Sequence, residues 1–518
     1  MITPLVFLRA GWKSLSQAGQ GTGAGENRFF YGSPAVRHGI FARKNPYILQ
    51  ARPEPEKEID GMKELKIVEE PNLLEEMFTY VLPPRISFAG KIVEEIDGEM
   101  VEFDPGEAVK RDLHISDTTF RDGQQARPPY TVKQIVDLYE LMSRLSGPEG
   151  VVRLTEFFVY SQKDREAVTA CRDLGLDYPR VTGWIRADKG DLAWVRKLEL
   201  EETGILTSCS DYHIFLKLGK DREAIMDQYL GVVREAIDSG IRPRCHLEDV
   251  TRADIDGFVV PFVQRLAEMS EDLPEDMKVK VRLCDTMGFG VTYPGAALPR
   301  SIPKLIYRMV HECGIPPERL EWHGHNDFHK VHINGVTSWL YGCDCVNCTL
   351  MGFGERTGNP PLEGAIMEYI GLKGEKHGID TTAITDIARY FESIDTPPAR
   401  NYPFVGRDFN TTRAGIHAHG LYQDERVYNI FDTTTLLGRP PVVSITDKTG
   451  SDGIHYWVND FLGLEGDERI KKTKMVKIMR WVKDQYDVHG RMTAISREEM
   501  EEQVKEHLPE YYEGRKGA

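Results

Sequence analysis

The segment HGHND, residues 323–327, carries two histidines at i and i+2. Side chains on a strand alternate with a period of two, so both imidazoles point to one side. At a strand's end they can reach a single metal ion. A bare HxH pair is more often two surface or core histidines, and only its context changes that reading. Asp122 offers a carboxylate, and Asn359 in GFGERTGN offers an amide oxygen. Two imidazoles plus oxygen donors, with positions left open, suit a divalent ion that keeps exchangeable sites for substrate. Arg121 beside Asp122 puts a fixed cation where an oxygen gaining negative charge would be held; the plain alternative is an ordinary ion pair. Gly352, Gly354 and Gly358 make a flexible loop with exposed amides, suited to a phosphate or thioester group. The run Cys343, Cys345, Cys348 fits a buried apolar strand better than a zinc site, since no second cysteine pair follows. His329 and His332 read as packing or surface residues, and His311 and Cys313 as structural.

These residues need elements to bring them together. From about Leu113, eight short apolar or β-branched segments alternate with amphipathic helical stretches such as TVKQIVDLYELMSRL. The strand-like segments are DLHISDTT, GVVRLTEFFVYS, RVTGWIR, GILTSCSDYHIFLK, RPRCHLEDVTR, KVKVRLCDTMG, RLEWHGHND and CDCVNCTLMGFGE. The pattern predicts a (β/α)8 barrel over 113–382. A doubly wound open sheet is the alternative, but the glycine fingerprint after its first strand is missing. Asp122, Glu156, His213, Glu248, Thr286, His323, His325 and Asn359 are all expected at or just beyond a strand's C-terminal end, where barrels build active sites. Residues 62–112 read as a lead-in segment. Residues 383–518 read as helical and mixed C-terminal subdomains that form a lid and dimer contacts.

Composition narrows the class. The chain has 518 residues and a net charge of −16. Nucleic-acid binding is not expected, because phosphate contacts want clustered Lys and Arg on a basic domain. A membrane span is not expected either, since no apolar run approaches ~18–20 residues. Eight cysteines spread along a long chain suit a reducing compartment, the cytoplasm. The first 53 residues differ: seven are basic and one, Glu26, is acidic, so the rest carries −22. Residues 1–61 read as a disordered tail, an upstream extension with the start near Met62, or a transit peptide.

Taken together the motifs resemble the DRE-TIM metallolyase superfamily. DTTFRDGQQ (117–125) looks like its first-strand signature, HGHND like its metal pair and GFGERTGN like its acyl-CoA loop. AGIHAHG (414–420) is similar to the segment after the barrel in the Claisen-condensing branch, the 2-isopropylmalate and homocitrate synthases. The resemblance covers roughly 113–460. It implies Asp122, His323 and His325 as metal ligands, with Asn359 ligating or close by. The ion would be Mn2+ first, with Mg2+, Co2+ or Zn2+ as alternatives. Arg121 would stabilise the enolate or alkoxide, and Gln125 and Thr286 would hold the oxo acid. Glu248 matches the catalytic glutamate. His417 matches its partner in proton abstraction, supplied by the other subunit of a homodimer, and Tyr428 a tyrosine at the same site. Gly352, Gly354 and Asn359 would contact acetyl-CoA, the co-substrate.

The implied reaction joins acetyl-CoA to a 2-oxo acid and hydrolyses the thioester. Arg244 favours a dicarboxylic acceptor, since a guanidinium pairs a carboxylate bidentately; its structural alternative is a pair with Glu156. His213 and His246 add donors nearby. The phenylalanine in DTTFRDGQQ and the SDYHIF segment look more like the Re-citrate synthases, which favours oxaloacetate. The alternatives are 2-oxoglutarate, as in homocitrate synthase, and the acceptors of 2-isopropylmalate or citramalate synthase. An acyl-CoA lyase, a biotin-dependent carboxyltransferase and an inert CoA-binding protein are further readings. The lyase lacks the AGIHAHG subdomain, the carboxyltransferase needs a modified metal-ligating lysine absent here, and the inert protein would have lost ligands that are present. Only 60 residues follow TGSDGIHYWV, so a full feedback-regulatory domain is not expected.

Overall fold

The structure, a computed structural model, describes residues 71–464 and 466–514 and a small hairpin upstream. The chain divides into two units, 1–70 and 71–518. In the first, Glu58–Ile59 pairs antiparallel with Met62–Lys63. The expectations for residues 1–61 fall almost wholly outside the described residues.

In the second unit eight parallel strands pair in chain order and close on themselves. They are β1 (His114–Asp117), β2 (Val152–Phe158), β3 (Arg180–Arg186), β4 (Glu202–Ser208), β5 (Arg242–Glu248), β6 (Lys280–Asp285), β7 (Leu320–Gly324) and β8 (Cys345–Cys348). This is the (β/α)8 barrel, and each strand-like segment contributes one strand. The outer ring holds α1 (Val132–Ser146), α2 (Gln162–Asp173), α3 (Lys189–Lys197), α4 (Arg222–Asp238), α5 (Val260–Ser270), α6 (Ile302–Tyr307), α7 (Val331–Tyr341) and α8 (Leu362–Lys373). The first shows why such stretches are helical. Thr131 caps α1 in a reciprocal box with Gln134, and Ile135, Leu138, Tyr139, Met142 and Leu145 make one buried stripe.

The main core runs past residue 382. Helix α9 (Ala383–Ser393) buries Ile384, Ile387 and Phe391 in the same cluster as the barrel helices. A hairpin of Ile92–Ile96 with Glu99–Phe103 adds Ile96 and Phe103 to it. Further along, α10 (Gly415–Gln423), α11 (Gly450–Phe461), α12 (Val476–Asp487) and α13 (Arg497–His507) share a second core built on Ala418, Ile454, Val458, Ile478, Val482 and Met500. Among the described residues no helix is long and apolar enough to cross a membrane.

Two local expectations change. The segment DYHIFLK does not continue β4; it turns into a π-helix, Tyr212–Lys217, with Tyr212, Phe215 and Leu216 exposed. Glu156 is not at a strand end. It is the fifth of seven residues of β2, buried inside the barrel.

Candidate active site

Asp122, His323 and His325 converge at the C-terminal rim. Asp122 lies on the turn after β1, where the N–H groups of Arg121, Asp122 and Gly123 all bond Thr118 O. His323 is the fourth residue of β7, and His325 follows the strand. Their Nε2 atoms stand 3.3 Å apart. Each is close to Asp122 Oδ2, at 3.6 and 3.7 Å. Burial disfavours ionisation of Asp122, but Arg121 and the two imidazoles outweigh it and hold the carboxyl at about 2. Burial lowers His323 to about 3 and lowers His325 too, so both rings are neutral at pH 7.

The donor set fits a cation. Asp122 Oδ2 and Asn359 Oδ1 are buried with no hydrogen-bond partner. The Asn359 amide is oriented by donation from Nδ2 to Gly324 O at 3.1 Å. Gly354 permits this, since a Cβ there would sit 1.7 Å from Asn359 Oδ1. His323 Nδ1 lies 2.7 Å from Asn347 Oδ1, and Asn347 Nδ2 donates to Ser116 O and Oγ. Those donations fix the Asn347 oxygen as an acceptor, so His323 carries its proton on Nδ1 and turns a lone pair on Nε2 into the site. Asn347 was not singled out from sequence. Its signal was its place in β8, directly opposite Ser116 of β1.

Arg121 sits at the same rim. Its Nε donates to Glu156 Oε1 at 2.9 Å, its Nη1 lies 3.1 Å from Asp122 Oδ1, and its guanidinium stands over Trp184. Trp184, in the second half of β3, was also missed.

Arg244 and His246, expected to contact the acceptor, lie beneath the rim. Both are buried inside the barrel, and Arg244 has no exposed surface. The Arg244 guanidinium donates to Glu156 at 2.8 Å, to Glu202 and to Thr182, and its Nε reaches His246 Nε2 at 3.3 Å. Arg282 shares Glu156 and bonds Glu321, while Lys280 bonds Glu202. An interior lined by three glutamates and three cations absorbs these donors, because a buried charge left unpaired is costly. In this arrangement Arg244 presents no free N–H to the rim.

On the far side of the rim Glu248 ends β5 beside Ser208, its register partner on β4. It accepts from Ser208 Oγ, from Lys217 Nζ at 3.1 Å, and lies 2.8 Å from His213 Nδ1. Burial disfavours its charge, yet His213, Ser208 and Lys217 hold the carboxyl at about 2. The π-helix is what brings His213 and Lys217 to it. Thr286 Oγ1 accepts from Asp249 N–H at 2.8 Å, and its own donation to Cys284 O is long at 3.5 Å. Gln125 is exposed on the 3-10 turn Gly123–Ala126.

Gly352, Gly354 and Asn359 line a cleft of about 460 Å³ together with His329, His332 and Tyr402. The glycine loop is tighter than its composition implied: Gly352 N–H bonds Thr349 O, and Asn359 N–H bonds Gly352 O. The cysteines of the Cys343–Cys348 run are buried free thiols, and among the described residues they form no metal-capable cluster.

His417 belongs to a C-terminal helix and not to the barrel. It is exposed on α10, stacked on Tyr428 with ring centroids 4.2 Å apart. Gly420 allows that stack, because a Cβ there would meet the Tyr428 ring at 2.5 Å. Among the described residues no hydrogen bond or ion pair joins His417 to Glu248 of the same chain.

The HMGL-like family model matches residues 112–391. The chain is 54% identical over 452 residues to the citrate (Re)-synthase of Syntrophus aciditrophicus, covering 87% of this chain and 70% of that protein. It is 45% identical over 453 residues to the citrate (Re)-synthase of Clostridium kluyveri, covering 87% and 96%. Identity to the 2-phosphinomethylmalate synthase of Streptomyces hygroscopicus is 36% over 402 residues, covering 76% and 89%.

Proposed function

The chain belongs to the HMGL-like family, and from that premise we propose that it is an acyltransferase condensing acetyl-CoA with oxaloacetate to citrate and CoA. The observation that carries this reading is its identity to two citrate (Re)-synthases over 87% of its length. With Arg244 enclosed, the choice of acceptor rests on those relatives and not on that guanidinium.

The chemistry has three parts. A proton leaves the methyl group of the thioester, the carbon attacks the oxaloacetate carbonyl, and water cleaves the new thioester. Asp122, His323 and His325, with Asn359 beside them, would hold a divalent cation, for which we propose Mn2+, and it would polarise the acceptor's carbonyl. Arg121, pinned by Glu156 and Asp122, is assigned to the oxygen that becomes an alkoxide. The Thr286 hydroxyl is assigned to the acceptor's carboxylate.

Glu248 at about 2 is a poor terminal proton acceptor, since a general base works best with a pKa near the operating pH. We assign it to polarising an imidazole, with His417 of the partner subunit of a homodimer as the base. The exposed His417–Tyr428 pair supports that assignment. A cytoplasmic setting fits eight free, buried thiols.

The test is thiol release from acetyl-CoA with Mn2+, run against oxaloacetate, 2-oxoglutarate, 2-oxoisovalerate and pyruvate. Oxaloacetate is expected to give the highest kcat/KM, and activity disappears on chelation. No CoA release with oxaloacetate would sink the reading.

A further inference from the structure

The segment ahead of the barrel takes part in no step above, yet it reaches from the barrel's outer ring to the C-terminal elements. Residues 84–86 lie on α8: the Ile86 N–H bonds Gly371 O at 2.9 Å, and a Cβ at Gly371 would meet Pro84 O at 2.9 Å. A few residues upstream, Tyr80 grips the segment 425–432 by three bonds. Its carbonyl oxygen accepts the Asp432 N–H at 2.7 Å. Its phenol donates to Glu425 Oε2 at 2.7 Å and accepts from Asn429 Nδ2 at 3.0 Å. Tyr80 holds a left-handed backbone, φ 66°, which is costly for an aromatic residue and persists only where its contacts hold it. Phe78 and Val81 beside it are exposed, so burial at those two positions does not fix it. Burial and the Glu425 carboxylate raise the phenol's pKa, so it stays a donor at neutral pH.

The gripped segment is the one that carries Tyr428. Glu425 opens the 3-10 turn Glu425–Val427, and its carbonyl oxygen accepts from Tyr428 N–H at 3.2 Å and from Asn429 N–H at 2.8 Å. Asn429 is buried, and its amide also donates to Thr433 Oγ1 at 3.2 Å. Tyr80 is thus bonded to the residue that starts the turn and to the one that follows Tyr428. The Tyr428 ring itself is exposed and lies against the exposed His417. Two rings at a surface are only as well placed as the backbone that carries them, and a reacting group must be held closely to its productive position.

We propose that Tyr80 is a positioning residue for the His417–Tyr428 pair, fixing the turn that carries Tyr428 so that the imidazole is presented in one place and orientation. The proposal rests on the reading of His417 as the base in proton abstraction. It brings into the reaction a residue that precedes the 112–391 family match.

The test uses two variants of the full chain. Tyr80→Phe deletes both side-chain bonds and keeps the backbone bond to Asp432, while Glu425→Ala removes the phenol's acceptor from the other side. Misplacing a reacting group by ~1 Å can cost ~100-fold, so kcat with acetyl-CoA and oxaloacetate is expected to fall at least ~10-fold in each, with KM for either substrate moving less than ~2-fold. The isotope effect on kcat with trideuterated acetyl-CoA is expected to rise, because the loss falls on proton abstraction. In a His417→Ala background Tyr80→Phe is expected to cost no further turnover. An unchanged kcat, an unchanged isotope effect, or an equal loss in the His417→Ala background would reduce Tyr80 to a structural residue. His417→Ala with wild-type turnover would overturn the reading of His417 as the base instead. Proton resonance reads the geometry without turnover: the Cε1–H signal of His417 carries the ring current of Tyr428 and is expected to move in Tyr80→Phe. A signal that stays in place overturns the proposal by itself.

Discussion

His323 illustrates how one side chain is prepared for its task by atoms outside the site. Ser116 directs the Asn347 amide, Asn347 directs the imidazole proton, and the lone pair that remains faces Asp122 and His325. Such outer contacts are typically worth ~10–100-fold in metal affinity. Asn347→Leu is therefore expected to weaken Mn2+ binding by about that factor, measured by metal titration. Asn347→Asp keeps the acceptor and is expected to keep the affinity. Equal weakening in both variants would reduce Asn347 to a packing residue. Glu248 teaches a related lesson. Its type and position suggest a base, but Ser208, His213 and Lys217 hold its carboxyl at about 2.

At the scale of elements, strand register decides what meets what. At the end of β5, Glu248 has Ser208 of β4 on one side and Cys284 of β6 on the other, which sets the donors available to the carboxylate. The glycine loop is anchored from below by α8, where Glu363 Oε2 accepts Met351 N–H at 3.1 Å and Oε1 is buried without a partner. Burial raises Glu363 to about 7 from an ordinary 4.5. The folded state thus binds more protons than the unfolded state between those values, and this group's contribution to stability falls as pH rises through the window. Buried histidines act in the opposite sense up to about 6.5, so the total slope mixes both. A difference measurement separates them. Relative to wild type, Glu363→Gln is expected to gain stability from pH 5 to about 7 and to level off above it, read as the gap between thermal midpoints. A gap that does not change with pH would mean that Glu363 is already ionised throughout.

At the scale of the whole molecule, the two cores raise the question of where proton abstraction is completed. His417 and Tyr428 stand exposed on the C-terminal elements, while Glu248 and His213 sit at the barrel rim. If the imidazole acts across a homodimer, two dead chains repair each other. Glu248→Gln and His417→Ala, each at least ~100-fold impaired alone, are expected to regain a substantial fraction of activity when dissociated, mixed and reassociated. Mixtures that stay as inactive as their parts would place both residues in one subunit's site. The charge budget also belongs to this scale. In an acidic body, Arg121 is a cation held at the rim, beside the Asp122 carboxylate.

The sequence by itself determined the barrel, because a period of two alternating with a period of 3.6 over eight rounds admits few other folds. It also pointed to Asp122, His323 and His325 as a group, since each falls at or beyond the C-terminal end of its strand. The tertiary structure alone decided what the polar residues beneath the rim do. Arg244 and His246 share β5 with Glu248 and point inward as it does, yet they lie deeper, where Glu156 and Glu202 enclose them. Depth in a barrel depends on tilt and register across neighbouring strands, and neither is written in a single strand's sequence. The same holds for Asn347. Its partners Ser116 and His323 are distant in the chain, and only closure of the barrel brings them together.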